Sequence, residues 1–367
     1  MKKTLTLLFA ALCTVSASAQ LSNGFYRVQN TLTDRYISIE DNDPANYKVS
    51  ITTSSVPLTG IRTHKPGTKV MTSPSTIIYV RSAGGNQYDL EGQGTGIYKI
   101  SGGRLYASLD QQSDGSYKGY GTYGKTTVVI ADDEIVEKDE AYLRNRSADA
   151  QYWWIKPVND GTNYLGIAPD VEVDGKYYGT MFAGFAFKLA SSGMKAYYVS
   201  EAAGSGFSME EISGEVPANT PVIVECSSND PANNKILPVT SNAATISGNH
   251  LYGVYCSLVT TKSVNGEIYN SSTRRTLGKS DGKLAFVQAS SSDLYEGTYL
   301  RGNKAYLMTG SGDSDVMTLG GSTAISNVKA EAAKDKGTYT LTGVRIPDDV
   351  TPRPGIYIKN GKKIVVK

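Results

Sequence analysis

The stretch GFYRVQNTLTDRYISI, residues 24–39, is the segment that decides the fold class of this chain. Its first part, Gly24–Val28, and its last part, Tyr36–Ile39, each alternate apolar and polar side chains, and a short polar gap separates them. Alternation with a period of two predicts strands with one buried face, and two such strands joined by a polar connection predict a β-hairpin. We therefore expect this segment to form a hairpin.

The same pattern occurs twice more in the first half of the chain. The second copy consists of residues 96–100 (GIYKI) and 106–109 (YASL). The third consists of residues 152–156 (YWWIK) and 164–167 (YLGI). Three hairpins that each expose an apolar face can bury those faces by packing around a common axis, which also removes open sheet edges. The repeats predict a threefold, barrel-like β domain over residues 20–175.

The third copy begins with Gln151-Tyr152-Trp153, which matches a Gln-x-Trp signature. Three such repeats with this signature resemble the ricin-type β-trefoil, a fold often used as a carbohydrate-binding module. The resemblance implies that Gln151 and Trp153 support the repeat structurally. It also implies a sugar site, which needs an exposed aromatic face for stacking and a nearby Asp or Asn that can hydrogen-bond to hydroxyl groups.

Three groups of residues combine a Tyr with an acidic or amide neighbour and are therefore candidates for that site. They are Tyr36 with Asp41 and Asn42, Tyr106 with Asp110, and Tyr164 with Asp160. The alternative for each Tyr is a strand residue whose ring packs on a neighbouring side chain.

The N-terminal residues 1–19 have a basic start, an apolar stretch from Leu5 to Val15, and small residues at 17–19. This order predicts a secretory signal peptide that is cleaved between Ala19 and Gln20. We therefore expect a protein that is secreted or held on the outer cell surface.

Two cysteines, Cys226 and Cys256, remain after that cleavage. In an oxidising compartment they could form a disulfide that closes about 30 residues and contributes about 3 kcal/mol in the loop-entropy model. Two buried free thiols are the alternative.

Residues 176–322 keep a β composition but lose the repeat. Residues 177–187 alternate aromatic and small side chains, as expected for a strand in a sandwich core, and residues 194–199 follow as another strand. We predict a β-sandwich domain here. Its YGT, PANTPVIV and KAYL segments resemble a module common in exported Bacteroidetes proteins.

The end of the chain comprises a charged linker, residues 323–336, and a tail, residues 337–367. Within the tail, residues 339–346 and 355–367 are predicted strands, and Asn360-Gly361 is a strong signal for a two-residue hairpin turn. The tail closely resembles the C-terminal sorting domain that Bacteroidetes use with the type IX secretion system, which implies the secretion machinery as a partner. A final edge hairpin of the sandwich is the alternative.

The amino-acid composition disfavours several classes of partner and site. The chain has 37 Lys and Arg and 35 Asp and Glu, and loss of Lys2 and Lys3 with the signal peptide balances them at 35 each, which disfavours nucleic acid as a partner. Two His and three Cys are few for a His-based triad or a multi-His metal site, so we expect neither a metal nor a cofactor. No stretch after the signal peptide is as long as the about 20 apolar residues of a membrane span.

These features favour an all-β, exported, non-catalytic protein that binds a glycan or a host or matrix polymer. A structural or adhesive surface protein without a small-ligand site is the alternative from another class. A secreted glycan-acting hydrolase is the third, because a sequence does not reveal whether two carboxylates lie the about 5 to 10 Å apart that a glycosidase needs.

Overall fold

A computed structural model describes residues 20–32, 34–39, 61–93, 106–121, 152–241, 243–255 and 266–321, and in the tail residues 338–340, 345–346, 354–359 and 362–366. These residues are mostly in strands, and their single α-helix, α1, is Thr68–Thr72. The predicted all-β class is confirmed. Within the described ranges, no helix has the length and apolar character needed to cross a bilayer.

The chain divides into two compact units. Apart from the segment Gly67–Ser75, the described residues as far as Pro157 belong to the first unit. That segment and everything from Val158 onward belong to the second.

The described residues of the first unit form eight strands. They are β1 (Gly24–Asn30), β2 (Tyr36–Ile39), β3 (Ile61–His64), β4 (Ile78–Gly84), β5 (Gln87–Gly92), β6 (Tyr106–Gln111), β7 (Tyr117–Gly121) and β8 (Tyr152–Pro157). Six of them pair in the order β1-β4-β5-β6-β7-β8, and β8 pairs again with β1, so the sheet closes on itself. Strands β2 and β3 extend from β1 on a branch.

The interior of this closed sheet is filled by alternate residues of its strands. Val28 lies opposite Ile155, and Tyr26 lies opposite Ile78, and all four side chains are buried. Trp153 enters the same interior from β8 and is 5% exposed. Because strand side chains alternate between faces, the neighbouring Trp154 points away from the interior and is partly exposed.

The three predicted hairpins have different outcomes. The first is confirmed, since β1 pairs with β2. In the second, residues 96–100 lie outside the described residues, and residues 106–109 belong to β6, which forms a hairpin with β7. The third is wrong: β8 uses both of its edges to bind β1 and β7, so no edge is left for residues 164–167.

In the body of the second unit, the part that the structure describes forms thirteen strands. They are β9 (Leu165–Gly166), β10 (Val171–Val173), β11 (Lys176–Met181), β12 (Ala186–Leu189), β13 (Lys195–Ala203), β14 (Gly206–Glu211), β15 (Val222–Cys226), β16 (Lys235–Val239), β17 (Leu251–Val254), β18 (Arg274–Ser280), β19 (Lys283–Val287), β20 (Lys304–Met308) and β21 (Met317–Leu319). Ten form one sheet in the order β10-β11-β15-β13-β14-β21-β19-β18-β20-β17, and β12-β16-β9 form a smaller sheet.

The large sheet curls around a hydrophobic core. Strand β10 contacts β18, and β11 contacts β20, so strands far apart in the sheet order lie against each other. Phe207 and Phe286 meet in this core edge to face, with ring centroids 5.1 Å apart, and neither is exposed. Where the sequence predicted a sandwich of two packed layers, strands of one curled sheet pack against each other.

Two boundaries differ from the prediction. The first domain was expected to end at residue 175, but the first unit ends at Pro157 because β9 pairs with β16 and β10 pairs with β11. Residues 177–187 are not one strand: β11 ends at Met181 in the large sheet, and β12 begins at Ala186 in the small one.

The tail forms a separate four-stranded sheet of β22 (Thr338–Thr340), β23 (Arg345–Ile346), β24 (Gly355–Lys359) and β25 (Lys362–Val366), in the order β23-β22-β24-β25. Lys359 pairs with Lys362, which confirms the predicted hairpin with a two-residue connection. The predicted strand 339–346 is instead the hairpin β22–β23. Among the described residues, no tail strand pairs with the large sheet, which argues against an edge hairpin of the sandwich.

Candidate ligand-binding surface

A row of side chains crosses the outer face of the first unit. Gln29 in β1 pairs with Tyr36 in β2 on one side and with Trp154 in β8 on the other. Cross-strand partners point to the same face of a sheet, so an amide lies between two aromatic rings. The strand spacing places the two aromatic residues about 10 Å apart.

The alternation of buried residues explains why this row faces outward. Val28 and Trp153, which adjoin Gln29 and Trp154 in sequence, fill the interior of the closed sheet. Tyr36 and Trp154 are partly exposed, while Gln29 is 9% exposed and forms the floor between them. Two partly exposed aromatic rings beside a polar floor are the kinds of group that a sugar site uses.

Charged groups surround the row. Arg27 is 1% exposed, and its Nε donates to Thr76 Oγ1 over 3.1 Å. Burial raises the pKa of Tyr36 above its usual value of 10; the nearby Arg27 opposes that increase and Asp34 adds to it. The Gln29 amide donates through Nε2 to the carbonyl of Asp34 over 3.0 Å, which fixes its orientation.

Lys156 adds a cation next to the second ring. Its Nζ lies 5.4 Å from the centre of the Trp154 indole, within range of a cation–π interaction. Lys156 is exposed and pairs with Arg27 across β8 and β1. The surface therefore combines aromatic faces with positive charge.

A buried Ser–His pair extends the row on its other side. His64 in β3 pairs with Tyr36, and its Nε2 lies 2.8 Å from Ser38 Oγ. This distance is within the range of a nucleophile and its base. However, Ser38 is fully buried and His64 is 4% exposed, so Ser38 Oγ has no access to a substrate, and the pair joins β3 to β2.

The structure places the other predicted residues of the first domain as follows. Asp41, Asn42 and Gln151 lie outside the described residues. Tyr106 is described by its backbone position in β6 alone. Asp110 is exposed, and its carboxylate accepts from Asn86 Nδ2 over 2.6 Å.

Tyr164 and Asp160 are brought together, but in the second unit. Lys235 Nζ lies 5.3 Å from the centre of the Tyr164 ring and donates to the Asp160 carbonyl over 2.5 Å. The Tyr164 ring is partly buried, and Lys235 lies over its face. This group is thus a lysine anchor of the 159–163 loop and is separate from the row on the first unit.

The disulfide prediction is not supported, because Cys226 is a free thiol with 5% exposure. It ends β15 with its side chain turned inward, where Sγ lies 3.7 Å from the Val224 carbonyl. Burial, with a contribution from Asp170, raises the pKa of this thiol to about 12. Cys256 lies outside the described residues.

No family model, no curated protein and no solved structure matches this chain. Within the part of the chain that the structure describes, no three His, Cys, Asp or Glu side chains come together as a metal site would require. The Tyr36–Gln29–Trp154 row is the candidate binding surface among the described residues.

Proposed function

We propose that this chain is an exported, non-catalytic glycan-binding protein that holds a sugar on the outer face of its first unit. The observation that carries the proposal is the pairing of Gln29 with Tyr36 and Trp154, two partly exposed aromatic residues on one face. The apolar C–H face of a sugar ring can stack on each aromatic ring, while neighbouring polar groups hydrogen-bond to its hydroxyls. A spacing of about 10 Å leaves room for two sugar units on one oligosaccharide.

A β-trefoil-like architecture for the first unit is part of this proposal. Its support is the ring of six strands, the β2–β3 branch at β1, and the burial of Trp153 within the ring.

The binding test compares single aromatic substitutions on a glycan array and then by calorimetry with the best sugar. Aromatic stacking is worth about 1 kcal/mol, so Tyr36→Ala and Trp154→Ala should each weaken binding about 5-fold. Tyr79→Ala is the matched control, because Tyr79 is also a partly exposed aromatic residue of the first unit but packs on Phe25, with ring centroids 4.9 Å apart.

Three outcomes are informative. Selective loss in the Tyr36 and Trp154 variants supports the surface. Equal affinity in all variants places the sugar elsewhere. An array without reproducible hits favours a structural or adhesive surface protein.

Export is the second part of the proposal, supported by the basic start, the apolar Leu5–Val15 stretch and the small residues before Gln20. N-terminal sequencing of the protein from its native cells should begin at Gln20. A cytoplasmic protein that retains Met1 would contradict it. We further propose that the tail is a sorting signal of the Bacteroidetes type, with the secretion machinery as its partner.

A further inference from the structure

The tail sheet carries many of the large hydrophobic side chains that are exposed to solvent. Seven large hydrophobic side chains are exposed among the described residues, and three of them lie in β24 and β25. Their exposed fractions are 41% for Ile356, 36% for Ile358 and 68% for Val365. Soluble proteins usually expose such side chains singly, so three within ten residues need an explanation.

The three side chains share one face of the sheet. Ile356 pairs with Val365, and Ile358 pairs with Lys363, and cross-strand partners point to the same side. The intervening Tyr357 and Ile364 are only partly exposed on the opposite side. We call Ile356, Ile358, Val365 and Lys363 the tail face.

The end of the sequence, which forms the tail face, carries charged side chains of one sign. After Asp349 the sequence has no Asp or Glu, and its last fifteen positions carry five basic residues: Arg353, Lys359, Lys362, Lys363 and Lys367. Of these, Lys363 is exposed on the tail face, and Lys359, which pairs with Lys362, is exposed on the opposite side at the hairpin end of the sheet. An occupant of this face must therefore offer negative charge as well as an apolar phase.

We propose that the tail face docks on an anionic lipid surface. Lipid phosphates would attract the lysines, and Ile356, Ile358 and Val365 would enter the boundary between headgroups and acyl chains. A soluble polyanion would pair with the lysines but leave the three apolar side chains in water. A second copy of the tail would bring two basic clusters together, which repel each other.

The test measures co-sedimentation of the chain that begins at Gln20, so that the apolar Leu5–Val15 stretch does not contribute. The vesicles contain phosphatidylcholine with or without phosphatidylglycerol. We expect binding to the anionic vesicles and at least about 10-fold weaker binding after Ile356→Ser with Val365→Ser, since affinity scales with buried apolar area.

The matched control is Ile268→Ser with Val316→Ser, an identical pair of changes at exposed positions elsewhere in the second unit. It should bind as the parent does. Lys359→Gln with Lys363→Gln should weaken binding, and so should salt at about 1 M, where the Debye length falls to about 3 Å. Thermal unfolding of each variant confirms that it is folded.

Several results would overturn the proposal. Equal binding to neutral and anionic vesicles would contradict a role for lipid charge. Absence of binding to any vesicle would contradict the whole proposal. A third result would be binding to soluble dextran sulfate without binding to vesicles. If the Ile356 and Val365 changes left that binding intact, the tail would be a polyanion site. A dimer that these changes convert to a monomer would identify a second copy as the occupant.

Discussion

Trp153→Ala should lower the free energy of unfolding of the first unit by about 3–5 kcal/mol, the range for emptying a buried large aromatic site. Trp153 is 5% exposed and lies between Asn30 and Tyr117, its partners in β1 and β7. The indole also lies against the backbone of Gly119, where an added Cβ would be 3.1 Å from Cδ1. The ring thus fills the space where β8 closes the sheet, and its removal would leave a cavity there.

Trp154→Ala is the internal control for this prediction. Trp154 is the next residue in β8, but its ring is partly exposed on the outer face, so its loss should cost clearly less. The chain has only these two tryptophans, and both are in the first unit. In each variant the remaining indole reports on urea unfolding of this unit alone. Equal losses would show that both rings are buried, which contradicts the assignment of faces.

The two opposite faces of β8 could be predicted from the sequence because they depend only on the alternation of neighbouring side chains. The first hairpin was predictable for the same reason, since residues 24–39 contain both strands and their connection. Closure of the sheet was not: β1 and β8 are more than 120 residues apart, and no local pattern specifies which distant edges pair. The false third hairpin arose from that limit, because the pattern at residues 164–167 is that of a strand whichever partner it has.

The candidate surface was predictable only in part. Tyr36 was a candidate because of its aromatic ring and its polar neighbours, but Gln29 and Trp154 were not, because nothing in the sequence places β1 between β2 and β8. The burial of Arg27 on the outer side of a strand was equally hidden, because an alternating pattern assigns charged residues to solvent. The position and burial of such residues can be assigned only when the neighbouring strands are known.

Deletion of all residues after Ser322 should remove vesicle binding and, in the native host, leave the protein in the periplasm. The tail carries both features that these processes need. Its sheet presents the tail face, with Lys359 at the adjacent hairpin end, and its sequence is the segment that resembles a sorting domain. Deletion of the tail should therefore reduce vesicle binding and delivery to the cell surface more than any single substitution within it.

The same deletion should leave the remaining protein folded. Within the described residues, the core around Phe207 and Phe286 is built from strands of the large sheet, and the tail strands pair only with one another. The calorimetric unfolding midpoint should stay within about 2 °C, which corresponds to less than about 1 kcal/mol for a unit of this size. A truncated protein that unfolds early or precipitates would mean that Tyr357 and Ile364, on the less exposed side of the tail sheet, complete a core. Normal delivery to the cell surface without the tail would contradict the sorting proposal directly, because a signal that can be removed without effect does not direct secretion.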